Sequence, residues 1–348
     1  MKATVLHATR DIRLEDVPDP TLHTPTDAIV RVTASCVCGS DLWPYRGINE
    51  IKEPTRIGHE FVGIVEEAGS EVSTLKVGDF VIAPFTISDN TCPHCQAGIT
   101  SACDHIGAWG QPNRDGALAD GGQGEYVRVP LADGTLVATP EVPEDSQLAS
   151  MLALSDVMGT GYHAAMSARV QPGMTVVVVG DGAVGLCGVL AAKRLGAERI
   201  IAMSRHESRQ KVAAEFGATD IVAERGDEGV AKVKELTDGV GADAVLECVG
   251  TRESMETAFR VLRPGGFVGY VGVPHDVELP IGKMFGRNLN VAGGVAPARA
   301  YLEQLRDDVL AGEIDPGKVF DLTLPLAEVA EGYAAMDERR AIKTLLLP

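Results

Sequence analysis

No uninterrupted apolar run in the 348 residues approaches the roughly 18 that a membrane-spanning helix needs. The opening stretch MKATVLHATRDIRLEDV lacks the apolar core of a secretory signal and carries acids that a transit peptide avoids. Basic residues are scarce. Against 49 Asp and Glu stand 31 Lys and Arg, a formal charge of −18 that disfavours nucleic acid and anionic membranes. The sequence has no internal repeat and no low-complexity tract. It also lacks a disulfide framework: seven cysteines is an odd count, and most sit at ligand-like spacings. These absences predict a cytoplasmic protein with reduced thiols and no nucleic-acid or membrane partner.

With 45% apolar and 23% charged residues the composition is globular, and the length suits two domains. The first 150 residues alternate short apolar segments with Gly and Pro. Strands of the all-β kind are predicted at Ala28–Thr33, Phe61–Glu66 and Asp79–Phe85. From about 170 the rhythm changes to alternating strands and helices. Thr175–Val179 is a β-branched run suited to a strand covered on both faces. A helix at Ala183–Leu195 follows, then strands at Arg199–Met203, Asp220–Val222, Ala242–Glu247 and Gly266–Val271, with helices between them. That order predicts βαβ units and a doubly wound parallel sheet. A helix at Ala327–Met336 and a strand at Ile342–Leu347 return toward the first domain.

Gly180-Asp181-Gly182-Ala183-Val184-Gly185 follows one predicted strand and opens the next helix. In such a turn Gly180 makes the tight bend, Gly182 lets backbone approach a pyrophosphate, and Gly185 lets helix pack on strand. The anion rests on the helix N-terminus, where free N–H groups and the helix dipole favour negative charge. NAD-binding versions carry an acid about 20 positions further on, bonded to the ribose hydroxyls. Here Ser204 fills that place, followed by Arg205 and, one helical turn on, Arg209. A serine with two arginines suits a 2′-phosphate and predicts NADP.

Cys38-Gly39-Ser40-Asp41 and Gly58-His59-Glu60 lie on loop-like stretches of the first domain. A thiolate and an imidazole are ordinary zinc ligands, but this pair alone would be weak evidence, and a third ligand must come from elsewhere. Together with the glycine fingerprint and the closing Ile342-Lys343-Thr344, these motifs resemble the zinc-containing medium-chain alcohol dehydrogenases over nearly the whole chain. The resemblance implies an α/β protein with a GroES-like, mainly β catalytic domain over 1–156. It further implies a Rossmann, doubly wound NADP-binding domain over 157–290 and a return to the catalytic domain over 291–348.

By the same resemblance, Cys38, His59 and Asp156 hold a catalytic zinc. Glu60 is the carboxylate beside the metal, Asp41 orients His59 through its free ring N–H, and Ser40 passes the proton onward. Trp43 stands where many relatives continue that relay with a histidine, which leaves the outward path open. Asp89, Cys92, Cys95 and Cys103 match a structural zinc lobe in which Asp89 replaces the first of four cysteines; the alternative is a lobe of free thiols. Cys36, Cys187 and Cys248 fit no ligand spacing and read as packed thiols. Thr160, Val184 and Val271 are placed by resemblance around the nicotinamide, and Lys343 on the pyrophosphate. Trp109 and Met158 are open between substrate pocket and core.

The implied reaction is hydride transfer between an alcohol and NADP, with zinc as Lewis acid, in a dimer or tetramer. An NAD-linked polyol or amino-alcohol dehydrogenase is the nearest alternative. A zinc-free quinone reductase has no use for Cys38, His59 and the cysteine lobe, and a non-catalytic sensor has no use for a complete ligand set.

Overall fold

The computed structural model describes residues 1–51, 54–113 and 115–348. They divide into two units, Met1–Asp156 with Pro297–Pro348, and Val157–Ala296.

In the first unit short segments rich in β-branched residues become strands β1 (Lys2–Ala8), β2 (Asp11–Asp16), β3 (Ala28–Cys36), β4 (Thr55–Arg56), β5 (Phe61–Ala68), β6 (Phe80–Ala83), β7 (Tyr126–Val129) and β8 (Val137–Ala138). The order β2-β1-β4 forms a small antiparallel sheet. Ala28, Val30 and Val32 of β3 point at alternate positions into a core shared with Phe61, Val65, Val81 and Trp109. Trp109 belongs to that core rather than to a pocket. It is 7% exposed, its ring meets Phe61 edge-on at 5.0 Å, and its Nε1 donates to Pro84 O at 3.0 Å. A charged network closes the same unit. Buried Arg128 donates from Nε to Asp27 Oδ2 at 2.7 Å and pairs with Asp115 through Nη2, while its backbone N–H reaches Asp120.

The second unit begins with the helix Val157–Ser167, which buries Met158 completely and so assigns it to packing. Its sheet holds β9 (Thr175–Val179), β10 (Arg199–Met203), β11 (Asp220–Val222), β12 (Ala242–Glu247), β13 (Leu262–Tyr270) and β14 (Asn290–Gly293). The order is β11-β10-β9-β12-β13-β14, and every pairing is parallel. Val176, Val177 and Val178 are all wholly buried. Successive residues face opposite sides, so this central strand is covered on both faces. The order reverses between β9 and β12, the position at which doubly wound sheets bind ligands beyond the strand ends.

The chain leaves the second unit at Ala296, later than the expected boundary at 290, because β14 pairs with β13 and completes that sheet. Two last strands, β15 (Leu322–Pro325) and β16 (Thr344–Leu347), return to the first unit, where β16 pairs with β3. The resulting larger sheet runs β15-β16-β3-β5-β6-β8, with β7 also on β3. Among the described residues no helix is long and apolar enough to cross a membrane.

Candidate functional site

Three stretches distant in sequence converge in the first unit. Cys38 lies two residues beyond β3, in a turn closed by Asp41 N–H donating to Cys38 O at 3.2 Å. His59 immediately precedes Glu60 and β5. Asp156 follows Ser155, whose hydroxyl donates to Phe61 O at 3.3 Å and whose carbonyl accepts from Phe85 N–H at 3.0 Å. These bonds tie the third ligand to the start of β5, beside the second.

Asp156 Oδ2 lies 3.6 Å from Cys38 Sγ and 3.6 Å from His59 Nε2. Tetrahedral zinc with ordinary bond lengths separates a sulfur from an oxygen ligand by about 3.5 Å and a nitrogen from an oxygen ligand by about 3.3 Å. The donor atoms of Cys38, His59, Glu60 and Asp156 all fall within 4.8 Å of one another. Chemistry and spacing both fit zinc. A thiol and two carboxylates crowd one partly buried point, and a cation there is what such a cluster calls for.

Two polar side chains flank this cluster. Asp41 is 5% exposed, and its Oδ1 faces His59 Nδ1 at 3.3 Å, leaving Nε2 toward the ligand cluster. Such a partner fixes the ring's orientation and tautomer. Ser40 Oγ lies 3.3 Å from Cys38 Sγ and 3.5 Å from His59 Nε2, so a hydroxyl stands at the mouth of the cluster.

Sequence reasoning missed Gln123. Wholly buried, it donates to Cys36 O at 3.0 Å and to Asp41 Oδ2 at 3.4 Å, and it accepts from Tyr333 OH at 3.1 Å. A polar residue enclosed by Gly121, Gly122 and Gly124 was the available signal. Gly58 exists for the same contact. Its φ is +103°, and a Cβ there would meet the Gln123 backbone N at 2.7 Å.

Lys343 is a correction. Its ammonium was expected on the cofactor pyrophosphate; instead it is 1% exposed and bonded to Glu60 Oε1 at 2.7 Å and Val37 O at 3.2 Å. Burial pulls the ammonium pKa down, but Cys36, Glu60, Cys38 and Asp156 more than offset this, so it stays well above its ordinary value. The lysine is a buried counter-charge, not a surface cation.

The lobe Asp89, Cys92, Cys95 and Cys103 also gathers its donor atoms within 4.8 Å, with Cys92 Sγ 3.9 Å from Cys103 Sγ. Two zinc-bound thiolates lie about 3.8 Å apart, so this set fits as well. Backbone N–H groups of Asp89 and His105 point at Cys103 Sγ, at 3.3 and 3.2 Å, which suits a thiolate. Asp89 Oδ1 accepts from Thr91 and Cys92 N–H groups, and Oδ2 meets His105 Nδ1 at 2.5 Å. Burial pushes its carboxyl up; those bonds prevail and hold it well below the usual range, ionised for a metal. His105 was not read from the sequence. His94 is exposed, as expected, and Cys36 and Cys187 are buried. Cys248 is partly buried.

In the second unit the loop 180–185 leaves β9 and opens the helix Ala183–Arg194. A Cβ on Gly185 would meet Gly180 O at 2.0 Å, so the helix packs down only because that residue is glycine. A Cβ on Gly182 would meet nothing within 4 Å, and there the backbone faces open space. The fit to a dinucleotide is good. Arg205 and Val271 lie just beyond β10 and β13, along the same edge of the sheet as Gly182. Val184 starts the helix, Thr160 sits within Val157–Ser167, and Arg205 is exposed. Ser204 and Arg209 are not free, however. Ser204 Oγ donates to Asp181 Oδ2 at 2.9 Å, and Arg209 Nη1 reaches Asp181 Oδ1 at 3.2 Å.

Known proteins resemble this chain over nearly its whole length. Residues 24–141 match the alcohol dehydrogenase GroES-like domain, and residues 183–310 match the zinc-binding dehydrogenase domain. The zinc-type alcohol dehydrogenase B of Aspergillus flavus is 35% identical across 99% of this chain and 81% of its own length. The alcohol dehydrogenase of Thermus sp. ATN1 superposes with a TM-score of 0.92 at 34% identity, covering 100% of this chain and 99% of that one. A zinc-binding dehydrogenase from Sinorhizobium meliloti, solved bound to NADP, superposes at 0.82 with 28% identity, covering 100% and 99%. The chain belongs to the zinc-dependent medium-chain alcohol dehydrogenase family. It is an oxidoreductase acting on CH–OH groups.

Proposed function

We propose that this dehydrogenase moves hydride reversibly between a small alcohol and NADP, in the cytoplasm, as a homo-oligomer. The observation that carries the chemistry is the convergence of Cys38, His59 and Asp156 on one point, at spacings a zinc ion fits. Zinc, when bound there, supplies the Lewis acidity that lowers the pKa of a substrate hydroxyl. Asp41 holds the His59 ring, and Lys343 holds the Glu60 carboxylate aside at 2.7 Å. Ser40 Oγ, 3.3 Å from Cys38 Sγ and 3.5 Å from His59 Nε2, would relay the hydroxyl proton, accepting it as it gives its own proton up outward.

The preference for NADP rests on Ser204 where an acid is usual and on the cations Arg205 and Arg209. The Sinorhizobium meliloti protein's bound NADP supports it by analogy. A second reading, an NAD-linked polyol or amino-alcohol dehydrogenase, is favoured by Asp181, whose carboxylate binds Ser204 and Arg209. Assembly is supported by β14, an edge strand flanked by exposed Phe285 and Val295.

The test is an absorbance screen of the zinc-replete protein with NADP and NAD across short alcohols, polyols, amino alcohols and aldehydes, beside elemental analysis. About two zinc ions per chain and turnover of at least one class are expected. A protein free of zinc, or one without turnover in either direction, overturns the reading. Light scattering at the monomer mass would remove the oligomer.

A further inference from the structure

The strand β10 ends without an acid, yet an acid stands beside its end. Asp181, second residue of the glycine loop, comes across from β9 and takes a hydrogen bond from Ser204 Oγ at 2.9 Å. From the other side Arg209 donates to both Asp181 Oδ1, at 3.2 Å, and Asp181 O, at 3.4 Å. The three side chains are nearly enclosed: Asp181 and Arg209 retain 11% and 14% exposure, and Ser204 is buried at 3%. Gln210 Nε2 donates to Ser204 O at 2.7 Å and fixes the backbone that carries the serine. Burial pushes the Asp181 carboxyl up, but the Ser204 bond and the Arg209 charge outweigh it, so it is ionised at neutral pH.

Two of the three groups that would recognise a 2′-phosphate therefore already answer to a carboxylate. Arg209 is neutralised by it, and the Ser204 hydroxyl proton is committed to it. A phosphate arriving at this point meets one uncompensated cation, Arg205, and one fixed anion. A ribose bearing a free 2′-hydroxyl meets a carboxylate able to accept from it, which is the interaction an acid at the strand end ordinarily provides. In a partly enclosed site such a charge is screened less than on open surface.

We propose that Asp181 is the specificity-determining residue of the cofactor site, acting from the glycine loop to disfavour a 2′-phosphate and to accept from a free ribose hydroxyl. The inference rests on the reading of this loop as a nicotinamide dinucleotide site. It places the discriminating charge at a position where a sequence pattern looks only for glycines. The natural chain then prefers NADP over NAD less than Ser204, Arg205 and Arg209 alone would provide, whichever cofactor it favours overall.

The experiment measures dissociation constants of NADPH and NADH by fluorescence titration, with kcat/KM for both, in the natural zinc-loaded enzyme and in Asp181→Asn. Asparagine keeps the size and one acceptor oxygen and removes the charge. The ratio of NADPH to NADH affinity should rise about tenfold or more, chiefly through tighter NADPH. Asp181→Ser, which removes the carboxylate with less bulk, should shift the ratio in the same direction and guards against a folding failure of the first variant. A ratio unchanged within about twofold in both variants while both cofactors still bind, or an equal loss for both, overturns the inference alone and makes Asp181 a structural group. A natural enzyme that binds neither cofactor overturns the reading of the site together with the inference.

Discussion

Replacing Lys343 with methionine tests how the catalytic cluster is balanced. The Lys343 ammonium is 1% exposed and Glu60 is wholly buried, with 2.7 Å between them. Among the described residues Glu60 Oε2 has no partner at all. Methionine fills much of the lysine's volume but takes away the ammonium bonded to the carboxylate. Breaking a buried pair from one side costs about 3–5 kcal/mol, a large share of a typical folding stability of roughly 5–15 kcal/mol. Burial already holds the Glu60 carboxyl above its ordinary pKa. Removing the lysine raises it further. An acid whose folded pKa is raised stabilises the fold only below its unfolded value, and that contribution falls away as pH climbs through the window up to the folded pKa. The penalty of Lys343→Met is therefore largest above the raised folded pKa and shrinks as pH falls toward the ordinary carboxylate range, where Glu60 takes up a proton. The companion Glu60→Gln/Lys343→Met should recover part of the loss, because it removes both charges. Urea unfolding of zinc-loaded protein at several pH values reads all of this. A penalty below about 1 kcal/mol, or one independent of pH, refutes the reasoning.

Cys38→Ser should abolish turnover and lose about one zinc per chain, while fluorescence titration still reports cofactor binding; loss of cofactor binding as well would mean a folding defect. Ser204→Asp sets a second carboxylate beside Asp181 and should lower kcat/KM for NADP by about tenfold or more relative to NAD. An unchanged ratio would show that this strand end does not meet the ribose. Asp27→Asn should cost about 1.5–3 kcal/mol by urea titration, since it removes the charge 2.7 Å from buried Arg128 and leaves Asp115 as the remaining carboxylate partner. For Asp27 burial pushes the carboxyl up, but bonds from Arg128, Thr24 and His23 outweigh it and leave the pKa lowered. Its contribution is present above the unfolded value and is lost as pH falls through the folded one, so the variant should lack that part of the acid-unfolding limb.

Much of the fold was written in local pattern. The run Thr175–Val179, the strands at 199–203, 220–222 and 242–247, and the helix after the glycine loop lie where periodicity put them. Helix starts were less legible. Arg252–Val261 begins where Thr251 caps it by accepting from Ser254 N–H, a box closed by serine rather than the usual glutamate or glutamine. Cys38 and His59 stood out as short motifs, and Asp156 joined them only through the family resemblance. Their partners did not stand out. Gln123 lies 82 residues from Asp41, and Tyr333 lies 210 from Gln123. Nothing local to Lys343 announces that the lysine will be shut in with Glu60, 283 residues away. Asp181 was visible as a residue but not as a contact, for its bond to Ser204 depends on β9 and β10 lying side by side.

The two candidate metal clusters differ in what the chain leaves free. In the Asp89 lobe the carboxylate is bound on both oxygens by the chain itself, and three thiols complete a set of four protein donors. A zinc site closed in this way has no position to offer a substrate and can only hold the lobe together. In the Cys38 cluster the fourth protein group, Glu60, stands with Oε1 4.0 Å from His59 Nε2 while Lys343 grips the same oxygen at 2.7 Å. The lysine's charge would compete with a metal for that carboxylate. Cys38, His59 and Asp156 would supply three ligands to a zinc ion, and the buried ammonium that holds Glu60 Oε1 would leave the fourth position to a substrate.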